Sequence, residues 1–509
     1  MEKQFVHLHT HTRLSVGTGT IQVKELPALC IAAGMPACAL TDTNLMSGCA
    51  EFSDVMPAKK VQPIIGVEIS LNHHTVDPKI LRESSLSQIV LLAQNHGGYL
   101  NLCELSRIMY MRGDNHHLGP YITFDELASH SDGVICLSGA HHGPIGMAIL
   151  NNQNSQARAY AEQFQQIFGD RFYMEIQRHG LADEIKTESE FLNIARELNI
   201  PIVATNDVVC AAASDYEAED ALSCVLGQTK VIDPDRPRKS SEQYFKSPDE
   251  MWELFSDLPE ACENTVEIAR RCGFMVNVHE KPLLPRFGDD LENECQMLRE
   301  HTMSGLAARM REQGITDTKP YYEQAEFELD VIINMGFPGY FLIVADYIDW
   351  CRKNDVLTGP GRGSGAGSIV AWALGITHVN PLKYGLLFER FLNPDRISMP
   401  DFDVDFEPTG IERVLAYICD KYGHDSVCRI ITFGSLQARG AIRDIGRVYG
   451  IPYSKSDRLS KLIPQDAKKL KDAVDASSEI QHVLATDEDM NKVVSIAEEL
   501  EGSIRNLGQ

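Results

Sequence analysis

Three aspartates alternate with apolar residues in Met399-Pro400-Asp401-Phe402-Asp403-Val404-Asp405-Phe406. Successive side chains of a strand point to opposite faces, so Asp401, Asp403 and Asp405 would line one face and Phe402, Val404 and Phe406 the other. Three like charges on one face repel one another and are costly to desolvate. A cation is the expected partner, most naturally Mg²⁺ with its oxygen ligands. The same alternation describes an ordinary edge strand with a solvated acidic face, so the neighbouring residues must decide.

Upstream lies Gly359-Pro360-Gly361-Arg362-Gly363-Ser364-Gly365-Ala366-Gly367-Ser368, followed by the apolar run Ile369-Val370-Ala371-Trp372-Ala373-Leu374. This reads as a loop entering a helix. Glycines let a backbone approach a ligand closely, and the N–H groups at a helix start favour anions, so a phosphate cradle is expected, with Arg362 adding a fixed charge. No Gly-Lys-Ser/Thr follows, which excludes a Walker A loop; Gly361, Gly363 and Ala366 fit the looser dinucleotide fingerprint, a pattern that plain connections also show. Residues 386–396 bring Arg390 and Arg396 towards the same region, unless they pair on the surface with Glu389 or Asp395. Cradle, arginines and carboxylates are the components of two-metal phosphoryl transfer.

A second constellation opens the chain. In Phe5-Val6-His7-Leu8-His9-Thr10-His11-Thr12 the histidines alternate, and on a strand all three would share one side and could share a metal. Segments at 39–42, 63–68, 173–180 and 202–209 follow, most with a short β-like run ending in a polar residue, and helical stretches such as 27–33 and 188–198 lie among them. That order suggests a βα barrel with polar residues at its strand ends.

A chain of 509 residues exceeds one ordinary core and implies several domains. Its net charge of −25 argues against nucleic-acid binding in sum. Locally, however, 429–471 is basic and carries Arg439, Arg443, Arg447 and Lys461, a stretch that reads either as a DNA-binding surface or as a solvated helical face. The thirteen cysteines include no Cys-x-x-Cys pair and the start of the chain has no hydrophobic signal region, so reduced thiols and a cytoplasmic location are expected. No run of about eighteen apolar residues is present to span a membrane.

Several of these motifs resemble one family. Phe337-Pro338-Gly339-Tyr340-Phe341-Leu342-Ile343-Val344, Gly359 to Ser364, Pro400 to Phe406, Ile430-Ile431-Thr432-Phe433-Gly434 and Arg443-Asp444-Ile445-Gly446-Arg447 occur in the order found in the bacterial DNA polymerase III alpha subunits, the C-family replicative polymerases. The resemblance spans essentially the whole chain. It implies template-directed 5′-to-3′ DNA synthesis on primer-template DNA with dNTPs. Asp401 and Asp403 would be the palm aspartates that bind catalytic Mg²⁺, and Gly363 and Ser364 the pair near the incoming triphosphate, with Arg362 and Arg390 as its cationic partners. Asp405 would be a supporting carboxylate. DNA would lie along Arg439, Arg443, Arg447 and Lys461.

The N-terminal part is similar to the polymerase-and-histidinol-phosphatase (PHP) domain, whose His, Asp and Glu clusters bind up to three metals and support phosphoesterase or 3′-5′ exonuclease chemistry. Matching positions are His9, His11, Asp42, Glu68, His179 and Asp207; Thr18, Thr43 and Val209 stand where further donors are expected. Threonine is a poor ligand and valine none, so at most one weakly held Zn²⁺ or Mn²⁺ is expected, in a domain that is mainly structural. The resemblance also implies docking of a proofreading exonuclease subunit there.

The expected architecture is α/β and multidomain: a distorted βα barrel (1–278), the first part of an α/β palm (279–432) and an all-helical thumb (433–509). The first boundary falls near Pro282 and Pro285. In the family a third catalytic carboxylate, the fingers, and the regions that meet the sliding clamp and clamp loader lie further on, so these 509 residues are expected to be inactive alone. The alternative is a metal-dependent phosphoesterase or exonuclease, or a scaffold, built on the histidine cluster.

Overall fold

The computed structural model describes residues 3–73, 86–112, 118–236, 238–277, 285–288, 290–394, 399–465, 467 and 469–508. Pro282 and Arg396 lie outside them. Contacts divide the chain into two compact units, Met1–His279 with Ile431–Gln509, and Glu280–Ile430.

The first unit is organised by a sheet of β1 (Ala37–Leu40), β2 (Gln62–Asn72), β3 (Ser87–Ala93), β4 (Ile122–Thr123), β5 (Val134–Leu137), β6 (Phe172–Ile176) and β7 (Ile202–Ala204). The spatial order is β1-β2-β3-β5-β6-β7, with β4 added to β2. β1, β5 and β6 are buried at every position, as strands covered on both faces must be. Pairing is parallel except where β3 runs antiparallel to β2 and β5, which distorts the barrel.

The histidine-rich segment closes the curl. His7 bridges Cys38 and Thr10 bridges Val208. Ala39 N–H donates to the His7 carbonyl at 2.8 Å, and Val208 N–H to the His9 carbonyl at 3.0 Å. The segment is thus laid between β1 and the chain just beyond β7, which carries its side chains into the barrel mouth.

The C-terminal stretch of this unit is helical (Ala438–Val448, Tyr453–Leu462, Leu470–Ala476, Ser478–Thr486 and Glu488–Leu500) and also carries an antiparallel ladder of β8 (Thr432–Ser435) with β9 (Ile504–Gly508). Ala221, Leu222 and Val225 of helix Tyr216–Leu226 share a core with Ile442, Ile445, Val494 and Leu500. Arg13, two residues beyond His11, adds a strap by donating to the carbonyls of Glu499 at 2.6 Å and Glu501 at 2.7 Å. Helix packing and strap together tie the barrel to the C-terminal helices.

The second unit packs helices Leu291–Glu312, Lys319–Asn334 and Pro338–Lys353 around Leu298, Leu329, Phe341 and Val370. The strand expected at 399–406 is extended backbone held by single bridges, Arg362 to Asp403 and Thr358 to Phe406. A regular ladder fails because the facing segment contains Pro360, which has no N–H, and Gly361 and Gly363 at φ +95° and +70°. The alternation survives all the same: Phe402 and Val404 pack on the core while Asp401 and Asp405 are exposed. Among the described residues no single helix is long and apolar enough to cross a membrane.

Candidate functional site

In the second unit the glycine loop lies flush against the acidic segment. Gly359 N–H donates to the Asp405 carbonyl at 2.9 Å, and Glu407 N–H to the Leu357 carbonyl at 3.1 Å. A Cβ at Gly363 would stand 2.7 Å from Asp403 Oδ2, and one at Gly365 2.6 Å from Phe402 Cδ1. The glycines are therefore what lets the loop reach Asp403. Tyr340 completes the support: its hydroxyl accepts from Phe402 N–H at 2.9 Å, and its ring stacks on that of Phe402.

Arg362 is placed differently from expectation. Its guanidinium stands 3.3 Å from Asp403 Oδ1 and 3.2 Å from Asp405 Oδ1, so here it neutralises the carboxylates instead of awaiting a triphosphate. Arg390 lines a cavity of about 490 Å³ with Gly363, Ser364 and Gly367, and is exposed. Among the described residues it makes no ion pair, neither with Glu389 nor with any other carboxylate.

The phosphate cradle expected at the helix start is already filled. Helix Ile369–Ala373 begins on Ser368, whose hydroxyl accepts from Ala371 N–H at 3.1 Å and donates to Glu328 at 2.8 Å. The Ile369 and Val370 N–H groups donate to the same carboxylate at 3.0 and 3.1 Å. An internal carboxyl group holds these amides, so they are not open to a phosphate. Burial pushes the Glu328 carboxyl up to about 7 even against these donors. Sequence reasoning missed Glu328. Its signal was a glutamate in phase with Ala325, Leu329 and Ile332 on the buried face of helix Lys319–Asn334.

At the barrel mouth, His9 Nδ1 meets Glu175 at 2.8 Å while its Nε2 lies 3.4 Å from Glu68 and 3.7 Å from Asp207. His11 Nε2 stands 3.0 Å from Asp207 Oδ1. These buried Nε2 atoms and Asp207 Oδ1 lack a well-formed hydrogen bond, and the three donor atoms lie within 4.8 Å of one another. Such a trio fits one divalent ion. Asp207 holds its position at φ +37°, a left-handed backbone that non-glycine residues seldom adopt.

The other expected ligands are not brought in. Asp42 accepts from Thr12 N–H at 2.7 Å and from the Thr12 and Ser15 hydroxyls. His179 spends Nδ1 on Glu184 at 2.6 Å and Nε2 on the Asn206 carbonyl at 2.9 Å. His7 turns aside to the Lys246 carbonyl at 2.9 Å, and burial lowers its pKa to about 4. The residues that replace donors bind neighbours instead: Thr43 donates to Glu68 at 2.8 Å and Thr18 to Glu219 at 2.9 Å, while Val209 offers only its backbone to Thr20 and Gln243.

Burial opposes charge at His9, yet Glu175 and Asp207 lift its pKa well above the ordinary histidine value. Burial likewise opposes ionisation of Glu68, but the hydrogen bond with His9 and the charges of His11 and His9 hold it down at about 2. Asp207 is held well below the carboxylate range, chiefly by Lys239 and His9 against the cost of burial. Lys239, which no sequence pattern singled out, places Nζ 3.2 Å from Asp207 Oδ2.

On the basic stretch, Arg439 donates to the Ile463 carbonyl at 2.8 Å and Arg447 to that of Val225 at 3.1 Å. Arg443 and Lys461 both face Asp457, at 3.9 and 2.7 Å. Arg439 and Arg447 thus serve packing in part, and Arg443 and Arg447 open with Lys230 and Arg505 onto a cleft of about 450 Å³.

Residues 7–179 match the PHP domain family, and residues 296–509 match the Bacterial DNA polymerase III alpha NTPase domain family. The two matches lie one after the other in a single chain. The DNA polymerase III subunit alpha of Caulobacter vibrioides is 43% identical over 99% of this chain and 44% of its own length. That of Pseudomonas aeruginosa is 41% identical over all of this chain and 44% of its own. An amidohydrolase from Chromobacterium violaceum superposes with a TM-score of 0.30 at 14% identity, over 40% of this chain and 87% of its own. The chain is thus similar to DNA polymerase III alpha subunits along nearly its whole length, and it spans less than half the length of the relatives it matches.

Proposed function

We propose that this chain supplies the nucleotide-binding and metal-binding half of a DNA-directed DNA polymerase. The observation that carries the reading is the contact of Gly363 with Asp403 beside the cavity lined by Ser364 and Arg390. Asp401 and Asp403 would hold Mg²⁺, which fits two carboxylates because this ion keeps several waters and takes further oxygens from substrate phosphate. Bound there, Mg²⁺ would polarise the phosphate and stabilise the leaving oxygen. The chain's own residues do the positioning. Loop amides and Ser364 would meet the triphosphate, Arg390 would neutralise it, and Arg362 would release the carboxylates as the ion arrives. Primer-template DNA would run along Arg443 and Lys461, with Arg439 and Arg447 serving packing as well.

We further assign 1–278 as a PHP domain, 279–432 as palm and 433–509 as thumb, in a cytoplasmic enzyme whose barrel is a scaffold and docking surface for a proofreading exonuclease subunit. What supports the scaffold reading over phosphoesterase chemistry is the internal bonding of Asp42 and His179, which leaves donors for a single ion.

Calorimetric titration with a dNTP and Mg²⁺ tests the nucleotide site. Binding should fall at least about tenfold in Arg390→Ala, a loss of one charge-assisted contact, and in Gly363→Ala. At Gly363 the added methyl displaces the tip of the flexible Asp403 side chain and strains a backbone at φ +70° and ψ −159°, a region almost restricted to glycine, by about 1–3 kcal/mol, a cost the fold should survive. Equal binding by both variants and the parent would remove the assignment. Digestion of a labelled oligonucleotide tests the barrel: no cleavage above that of a His9→Ala protein is expected, and metal-dependent cleavage abolished by His9→Ala would make the barrel a working nuclease.

A further inference from the structure

We propose that Lys239 is the resident cation of the barrel-mouth cluster, its ammonium group supplying to Asp207 the positive charge that a second metal ion would bring, so that Lys239 and divalent metal compete for this carboxylate. The inference does not depend on the polymerase reading of the second unit.

The division of labour at Asp207 carries the argument. Its Oδ1 faces His11 at 3.0 Å and His9 at 3.7 Å, the side where one ion fits. Its Oδ2 is taken by Lys239 Nζ at 3.2 Å and Gln243 Nε2 at 2.5 Å. In a two-metal cluster a carboxylate at this place would turn its second oxygen to the second ion; here an ammonium and an amide stand there instead. The segment that delivers them is fastened over the mouth: Ser240 donates to the His179 carbonyl at 3.2 Å, and Gln243 also reaches the Asp207 carbonyl at 3.3 Å.

Charge explains why such a cation is needed. Glu68, Glu175 and Asp207 are nearly or fully buried around His9. Uncompensated carboxylates at such depth are costly. Glu68 and Glu219 add to the attraction that Asp207 exerts on Lys239. A tethered ammonium provides compensation at no cost in ion binding, and its side chain, 31% exposed, can be displaced towards solvent. Thr18 and Thr43 bind neighbouring carboxylates instead of a metal, and Lys239 supplies the charge at Asp207, so a covalent cation stands where a mobile one would.

The test is Lys239→Met in the whole chain, with Lys239→Arg as the charge-keeping control. Each is melted with and without Mn²⁺ or Zn²⁺ and dialysed against the metal for elemental analysis. Metal-free Lys239→Met should melt below the parent and recover with metal, and its apparent Mn²⁺ affinity should rise at least about tenfold, as expected when a competing charge is removed. Lys239→Arg should follow the parent. Folding of Lys239→Met only in the presence of metal would support the proposal strongly. Unchanged metal affinity, a metal-free melt equal to the parent's, or failure to fold in both conditions would overturn it.

Discussion

Asp403→Asn should lower nucleotide incorporation about a hundredfold or more, measured by primer extension in a chain extended to the length of its relatives, because under the proposed assignment one of the two carboxylates that would fix an ion loses its charge. The fold should not change. Phe402 still stacks on Tyr340, and the apolar side of 402–406 still packs on the core, so circular dichroism and the melting curve should match the parent. Asp401→Asn should behave alike. Asp405→Asn is the informative control. Its side chain meets Arg362 at 3.2 Å and its backbone carbonyl accepts from Gly359, a bond the substitution leaves in place. Its loss should therefore cost less than about tenfold, within what a surface ion pair is worth. Equal losses at Asp403 and Asp405 would mean that the three carboxylates act as a pooled charge, with no assigned ligands. Activity of Asp403→Asn within about tenfold of the parent would remove Asp403 from the metal site altogether.

The second large effect is expected at Glu328, which touches no substrate position but anchors the element behind the glycine loop. Glu328→Ala leaves the Ile369 and Val370 amides and the Ser368 hydroxyl without their buried acceptor. At about 1–3 kcal/mol for each unsatisfied group, the loss should reach several kcal/mol. Hydrogen exchange at Ile369 and Val370 reads it locally, and both amides should lose protection before the rest of the second unit. The same residue predicts a pH dependence with a definite sign. Its carboxyl is pushed up to about 7 in the fold from 4.5, so the unfolded chain gives up the proton first. Stability is then fully present below about 4.5 and is lost as pH rises towards about 7, by about 3 kcal/mol at most. Glu328→Gln cannot ionise and should flatten that part of the profile. A denaturation series from pH 4 to pH 8 with the same slope in both proteins would show that another group is responsible.

Both effects concern residues of very different visibility in the sequence. The aspartates announced themselves, because alternation of charged and apolar residues is a local pattern that extended backbone turns directly into two faces. Glu328 did not, since its acceptor role depends on amides forty residues and more away. The strand expected at 399–406 was misread for a related reason: its own pattern permits a ladder, and the partner segment, with Pro360 and the glycines at positive φ, denies it.

The barrel divides in the same way. Local sequence determined β-like runs at 39–42, 63–68, 173–180 and 202–209, though not β3 or β5, together with the alternation that sends His9 and His11 to one side and the glycine spacing that later meets Asp403; the missing donors at Thr18, Thr43 and Val209 were legible only through the family resemblance. Short-range sterics and side-chain chemistry are enough for the runs, the alternation and the spacing. Only the tertiary structure decided which donors converge. Asp42 and His179 are of the right type, yet Thr12 with Ser15 and Glu184 with Asn206 bind them first, and Lys239 reaches Asp207 across 32 positions of sequence. Ligation and charge pairing require atoms within a few ångströms, and that proximity is fixed by how strands and loops distant in sequence close on one another. A sequence lists the candidates for such a site; the fold selects among them by satisfying some elsewhere.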